Sequence, residues 1–434
     1  MRIRTSHILP AFLLLAAASV SAAESRPDFD QGVAVEPVVE EARRSAREIA
    51  GDRIDSGPAF QKPGDSVWIS VGNEDLAALG DRFGFSRRKV LSHGANAAVF
   101  RIHTTELPLL SALMHRFFRR CGGFFAYDTW EAAEADVMAG PARGKPRNYT
   151  IDRQDVVRPM VARVGEAGIT RTIEKLSSFH NRYYEADSGV ASSRWIRDHW
   201  KEIAADRQDI SVELFAHERW PQESVVLTIT GRTEPDKVVV IGGHADSLAG
   251  WRRRDTSRAP GADDNASGIG VMTEALRVLV ESGYRPAKTI KLIAYAAEEV
   301  GLRGSQKIAE AFERGGVDVL GVVQFDMTNY KGSAEDIYLI SDYTDATQNA
   351  FLGRLIDEYV KVPWGYTECG YACSDHASWH RRGFAASFGF EASHNEVNPD
   401  IHTSRDTLAT SGGHSRHSAN FAKLAVAYLA ETAK

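Results

Sequence analysis

Between Ser224 and Phe390 the chain repeats one pattern: a nearly unbroken apolar run that stops at an acidic residue or a histidine. Val238-Val239-Val240-Ile241 leads into His244-Ala245-Asp246, Leu292-Ile293-Ala294-Tyr295 into Glu298-Glu299, and a third run ends in Gln324-Phe325-Asp326-Met327. A strand with one wet face alternates apolar and polar residues; these do not, so both of their faces must be covered. Strands are expected over Ser224 to Thr230, Lys237 to Gly242, Thr289 to Tyr295, Leu320 to Phe325, Asp336 to Ser341 and Ala385 to Phe390. Helical periodicity over Ile173 to Tyr184, Ser192 to Ile203, Ser267 to Val280 and Asn349 to Val360, with a last apolar face at Phe421, Leu424, Ala425, Tyr428 and Leu429, supplies the cover. The fold class this predicts is α/β: a central mixed, mostly parallel sheet with helices on both faces.

A chain of 434 residues exceeds one average domain. Arg2 and Arg4, the apolar stretch Ile8 to Val20 and the small residues Val20-Ser21-Ala22 read as a signal peptide over residues 1–22, and no apolar run long enough to span a bilayer follows. The protein is therefore expected to be secreted, outside the cell or in the periplasm. Residues 23–160 read as a polar leader followed by a small α/β unit from Val67 to Tyr127, then an exposed linker over Gly140 to Arg158 rich in Pro, Arg and Gly. Residues 161–434 form the main domain. A net charge of −6 gives no basic surplus for nucleic acid. Of the three cysteines, Cys369 and Cys373 lie four apart; a local disulfide and two buried thiols both suit that spacing, and export favours the disulfide. Cys121 is left over.

In an open α/β sheet, ligands gather beyond the carboxyl ends of the strands. His244 and Asp246, two apart, share one side of an extended chain. Asp263 and Asp264 sit in a polar loop, Pro260 to Gly268, that enters a helix, and His402 follows Asp400-Ile401. Singly, such residues are turn, cap or surface residues. Five segments that each deliver His, Asp or Glu to strand ends form a ligand set without thiolate, which suits zinc or a similar borderline cation. Two histidines and three carboxylates exceed the needs of one catalytic zinc and suit two.

The segments His244-Ala245-Asp246, Gly261-Ala262-Asp263-Asp264-Asn265-Ala266-Ser267-Gly268, Glu298-Glu299-Val300-Gly301, Asp326-Met327 and Ile401-His402-Thr403 resemble the M28 metallopeptidases. Tyr295 to Gln306 and Cys369 to His380 look closest to that family's secreted bacterial leucyl aminopeptidases. The likeness runs over roughly residues 165 to 430. It implies the zinc-peptidase fold and two zinc ions, with His244 and Glu299 on one side of the pair, Asp326 and His402 on the other, and Asp264 bridging through a cis Asp264–Asn265 bond. Glu298 would serve as general base and acid, Asp246 would orient His244, and Tyr371 would hydrogen-bond the oxyanion. Met327, Tyr371, Phe388, Phe390 and Ile401 match positions lining a first-residue pocket for Leu and similar side chains, while His394 and Val397 depart from the aromatics of close relatives. The unit from Val67 to Tyr127 resembles a propeptide, which would pack over the metal-site face.

The implied function is a secreted two-zinc aminopeptidase acting on peptides with free N-termini, a monomer after maturation. A single-zinc glutaminyl cyclase and a non-catalytic binding protein share the fold. The intact set of five ligands and Glu298 speaks against both.

Overall fold

Residues 66–80, 82–139, 147–250 and 254–434 are described in this computed structural model; the signal peptide and leader expected over residues 1–65 lie outside them. β1 (Ser66–Gly72) is followed by α1 (Asn73–Leu79), β2 (Ser92–His93), β3 (Ala97–His103), α2 (Leu107–Phe118), β4 (Phe124–Tyr127) and α3 (Trp130–Met138). The strands form an antiparallel sheet in the order β2-β3-β1-β4. Alternation along β1 puts Val67, Ile69 and Val71 on one face, against Phe100, Ile102, Leu110, Met114 and Phe124. Pro108 opens α2, where a missing N–H costs nothing, and Arg119 in the left-handed region closes it. This small unit does not close its own core: Tyr183, Tyr184, Trp220, Ala297 and Val300 of the main body complete the cluster.

The main body continues with α4 (Gln154–Val161), α5 (Glu166–Ser178), α6 (Asp187–Ala204), β5 (Ile210–Phe215), β6 (Ser224–Ile229), β7 (Glu234–His244), α7 (Gly268–Glu281), β8 (Lys288–Tyr295), α8 (Arg303–Arg314) and β9 (Asp318–Phe325). It ends with β10 (Ile337–Ile340), α9 (Ala346–Leu355), β11 (Trp364–Thr367), α10 (His376–Arg381), β12 (Ala386–Phe390) and α11 (Arg416–Thr432). The sheet order is β11-β10-β12-β9-β7-β8-β6-β5. The central strands β12, β9, β7 and β8 run parallel, β6 and β5 add antiparallel at one end, and β10 adds antiparallel at the other, with β11 parallel to it.

The apolar runs have the explanation their pattern implies. Val239, Ile241, Leu292 and Val323 face a core completed by α5, α7 and α11. Their neighbours Val238, Val240, Ile293 and Val322 face the opposite side, against Ile308 of α8 and Trp379 of α10. Each run is therefore buried twice, once per face.

Some elements differ from the expectation. The linker expected over Gly140 to Arg158 ends in α4, whose Val157, Met160 and Val161 join the main core, so a boundary at 160 falls inside a helix. Three apolar residues on one helical face outweigh the surrounding charge. The helix expected over Ile173 to Tyr184 starts at Glu166 and stops at Ser178, because Arg182 leaves the helix to bind carbonyls of other loops. β5 and β11 have no long apolar run because each closes an edge of the sheet.

Candidate active site

The parallel register sets His244 beside Tyr295 and Gly242 beside Gln324, so β7, β8 and β9 stop level with one another. The last residue of β7 and the residues just beyond β8 and β9 deliver His244, Glu298, Glu299 and Asp326 to one edge. Asp264 enters from an irregular turn over Ala262–Ser267 that precedes α7, and the Asp264–Asn265 bond is cis. Asn265 anchors this turn to β9, donating from Nδ2 to Phe325 O at 3.0 Å and accepting the Gly268 N–H at 2.9 Å. A Cβ at Gly268 would stand 2.2 Å from Phe325 O, so only glycine lets the turn approach so closely. His402 arrives on the loop after β12. Backbone in the left-handed region clusters here at non-glycine residues: Ala297, Met327, Ala372 and His402.

The five residues expected as metal ligands meet. His244 Nε2 lies 3.0 Å from Asp264 Oδ1 and 3.3 Å from Asp326 Oδ1. His402 Nε2 lies 3.2 Å from Asp264 Oδ2 and 2.7 Å from Glu299 Oε2. The grouping thus differs from the one the resemblance implied: His244 goes with Asp326, and His402 with Glu299. The reason is strand order, since β7 and β9 are neighbours and place their end residues side by side.

Each carboxylate is held by one oxygen and leaves the other without a hydrogen bond. Asp326 Oδ2 accepts from Ser374 Oγ at 2.6 Å, Glu299 Oε1 from Leu248 N at 3.1 Å, and Asp264 Oδ2 from Cys121 Sγ at 3.4 Å. Asp326 Oδ1, Glu299 Oε2, Asp264 Oδ1, His244 Nε2, His402 Nε2 and both oxygens of Glu298 are buried without a hydrogen-bond partner. Buried polar atoms are rarely left so, and this many at one place form a donor set shaped for cations. Burial opposes charge on His402, but Glu299 and Asp264 outweigh it and raise its pKa to about 10. Burial likewise opposes charge on His244, which Asp326 and Glu298 nevertheless raise well above the ordinary value. A divalent cation competes with those protons for the same lone pairs. Glu298 is pushed well up, first by burial and then, against the pull of His244, by Asp375, Asp326 and Glu299.

Asp246 meets His244 Nδ1 through its backbone O at 3.2 Å. Its Oδ1 stands 3.5 Å from His244 Nδ1, while its two oxygens accept the N–H groups of Glu298 and Glu299 at 3.1 and 3.2 Å. Two supports escaped the sequence reading. Asp406 accepts the backbone N–H groups of Asp263 and Asp264. Buried Arg182 donates to Ala245 O, Pro260 O and Gly261 O, joining the loops that carry Asp246 and Asp264. Asp406 follows His402 by four residues, the one local signal available; Arg182 has none.

The N-terminal unit covers this edge. Past α2 the loop Arg120–Gly123 enters the site: Arg120 pairs with Asp75 at 2.7 Å, and Gly123 N donates to Ala372 O at 2.8 Å. A Cβ on Gly122 would lie 2.8 Å from Ala372 O and 3.4 Å from Glu298 Oε1. Cys121 packs among Met327, Phe388, Phe390 and Ile401, four of the residues expected to line the pocket, and against Val397 and the disulfide Cys369–Cys373. His394 accepts no aromatic role at the rim; its Nε2 meets Phe118 O of α2 at 2.6 Å. Tyr371 is also placed otherwise than expected. Its hydroxyl donates to Ser70 Oγ of β1 and accepts from Arg381, each at 2.8 Å, and its ring packs edge-on against Phe125. With β1 docked, that hydroxyl is taken up by Ser70 and Arg381.

A sheet that gathers imidazoles and carboxylates beyond its parallel strand ends, with one carboxylate between two histidines, is the frame of a metal-dependent hydrolase. The model of peptidase family M28 matches residues 224–427. Leucine aminopeptidase 1 of Arthroderma gypseum is 36% identical over 325 residues, 72% of this chain and 85% of that one. A probable aminopeptidase of Saccharomyces cerevisiae is 35% identical over 266 residues, 59% of this chain and 71% of its own. The LapA aminopeptidase of Legionella pneumophila, at 29% identity, superposes with a TM-score of 0.74 over 85% of this chain and 99% of that one. The chain belongs to peptidase family M28 and is an enzyme, a metallo-aminopeptidase.

Proposed function

We propose that this enzyme is secreted, carries two zinc ions, and releases single hydrophobic residues such as Leu from peptides with free N-termini. One observation carries the reading: the two oxygens of Asp264 each face a different histidine–carboxylate pair. His244, Asp326 and Asp264 Oδ1 would hold one ion, and His402, Glu299 and Asp264 Oδ2 the other; imidazole and carboxylate donors suit zinc. When bound, the pair supplies Lewis acidity for the scissile carbonyl, a seat for the free α-amine and a lowered pKa for the attacking water.

The remaining work falls to this chain's own side chains. Glu298, with both oxygens unpartnered, takes a proton from the attacking water and returns it to the leaving amine. Asp246 fixes the backbone of Glu298 and Glu299 and stands beside the His244 ring. Met327, Phe388, Phe390 and Ile401 receive the apolar side chain. Tyr371 serves the oxyanion once Ser70 is gone. The segment ahead of α4 is read as a propeptide that fills the site until it is removed, since Cys121, Gly122 and His115 all lie on catalytic residues. The mature enzyme is read as a monomer.

The test compares Leu-anilide with its N-acetylated counterpart, using chain freed of the N-terminal segment by limited proteolysis, with zinc measured alongside. Cleavage of the free amine only, at two zinc ions per chain, supports the reading. Equal cleavage of both substrates, or full activity with one zinc, refutes it.

A further inference from the structure

The chain has three cysteines, and two are joined as Cys369–Cys373, which leaves Cys121 as its free thiol. Cys121 belongs to the N-terminal unit, yet its Sγ, Asp264 and His402 present donor atoms that all lie within 4.8 Å of one another. Sγ stands 3.4 Å from Asp264 Oδ2, which is 3.2 Å from His402 Nε2. Two further observations point to a ligand at this spot. His402 Nε2 and Glu299 Oε2, both buried, have no hydrogen-bond partner and lie at the same centre. Zinc in tetrahedral coordination, with Zn–S about 2.3 Å and Zn–N or Zn–O about 2.0–2.2 Å, holds neighbouring donors roughly 3.3–3.6 Å apart. The sulfur-to-oxygen separation already has that length, the Asp264 Oδ2–His402 Nε2 separation falls just short, and Glu299 Oε2 stands closer still to that nitrogen, at 2.7 Å.

The loop that carries the thiol is clamped on both sides. Arg120 is paired with Asp75, and Gly122 and Gly123 donate to Cys373 O and Ala372 O at 3.4 and 2.8 Å. A mere plug could be any apolar residue; the residue presented to the carboxylate–imidazole centre is instead a soft metal donor.

We infer that Cys121 is a protein ligand of the metal on the His402 side while the N-terminal unit is docked, standing where the attacking water would otherwise enter. This rests on the two-metal reading above. Binding replaces the sulfur–hydrogen bond by a sulfur–metal bond, the proton passing to buffer, and no oxidant takes part. The N-terminal unit thereby silences the enzyme chemically as well as by bulk, and its removal opens a coordination position.

Full-length protein loaded with cobalt(II) tests this, because thiolate ligation gives a near-ultraviolet charge-transfer band that imidazole and carboxylate do not. Metal content is measured in parallel. The expected result is two cobalt ions per chain with the band present in the wild type and absent from Cys121→Ser and Cys121→Ala, and zinc release to a chelator about tenfold faster in Cys121→Ser. The wild-type spectrum decides even if a variant fails to fold, since no other free thiol exists. Two cobalt ions without the band overturn the inference, leave the two-metal reading standing, and make Cys121 an apolar filler against Met327. No bound cobalt in any form overturns both.

Discussion

The carboxylate of Asp406 accepts the backbone N–H of Asp264 at 3.1 Å, from 142 residues further along the chain. Its other oxygen takes the N–H of Asp263 at 3.0 Å. Asp264, whose two oxygens face His244 and His402, is thus aimed through its backbone by a buried acid. Asp406→Asn keeps one acceptor oxygen but sets an NH2 group against the second N–H, which costs about 1–3 kcal/mol in local hydrogen bonding. Metal affinity is expected to fall 10- to 100-fold, as when an orienting partner of a ligand is lost. Zinc retention against a graded chelator measures it; wild-type affinity in a folded Asp406→Asn protein removes Asp406 from this role.

Glu298 and Glu299 are identical neighbours whose roles position alone assigns. Glu299 Oε2 lies 2.7 Å from His402, whereas Glu298 approaches His244 only to 4.0 Å. Glu298→Ala in the matured enzyme should keep two metals and lower kcat by about 10²-fold or more, the usual share of general acid–base catalysis. Glu299→Ala should lose metal. Elemental analysis beside kcat and KM decides, and metal loss in Glu298→Ala with two ions kept by Glu299→Ala reverses the assignment.

Arg182 is a stability hub. It donates to Ala245 O at 2.9 Å, Pro260 O at 2.5 Å and Gly261 O at 2.9 Å, in a fully buried setting. Arg182→Ala leaves Ala245 O and Pro260 O unpaired, while Gly261 O keeps the Ala266 N–H; it also opens a cavity, and should destabilise the fold by roughly 3 kcal/mol or more. Denaturant unfolding of both proteins reads this directly. A change below about 1 kcal/mol would mean that water takes over the carbonyls.

Docking of the N-terminal unit should weaken in acid. The ring of His115 of α2 lies tilted against that of His402, with ring centres 4.7 Å apart. Its pKa is lowered to about 3, first by burial and then by the charges of His402 and Arg119, with Asp264 opposing. Undocked, the ring regains its ordinary value of 6.5. The undocked form therefore binds the extra proton between these values: docking is full above pH 6.5 and weakens as pH falls towards 3, by up to about tenfold per unit. Hydrogen exchange at the Gly123 N–H, corrected for its intrinsic pH dependence, should rise from pH 7 to pH 5 in the full chain. His115→Phe should flatten that rise; an unchanged slope would sink the assignment.

Local pattern was enough for six of the eight strands of the main sheet, all but the edges β5 and β11, and for the residues that end the inner ones. A strand buried on both faces must be apolar throughout, so the change to His244, Glu298 or Asp326 at its end stands out without knowledge of the neighbours. The pairing of Cys369 with Cys373 was favoured by the expected export and not by spacing alone, since two buried thiols suit four residues of chain equally. Which histidine shares which carboxylate was not legible, because the order β12-β9-β7-β8 is a property of the assembled sheet. Tyr371 finds Ser70, Asp406 finds Asp264, and Cys121 finds Asp264 across separations that leave no period or spacing in the sequence. Sequence determined which side chains this protein can bring to a metal; only the packing of the sheet, and of the N-terminal unit upon it, decided which of them face one another, because contacts between distant segments follow from burial of whole surfaces and not from the residues next door.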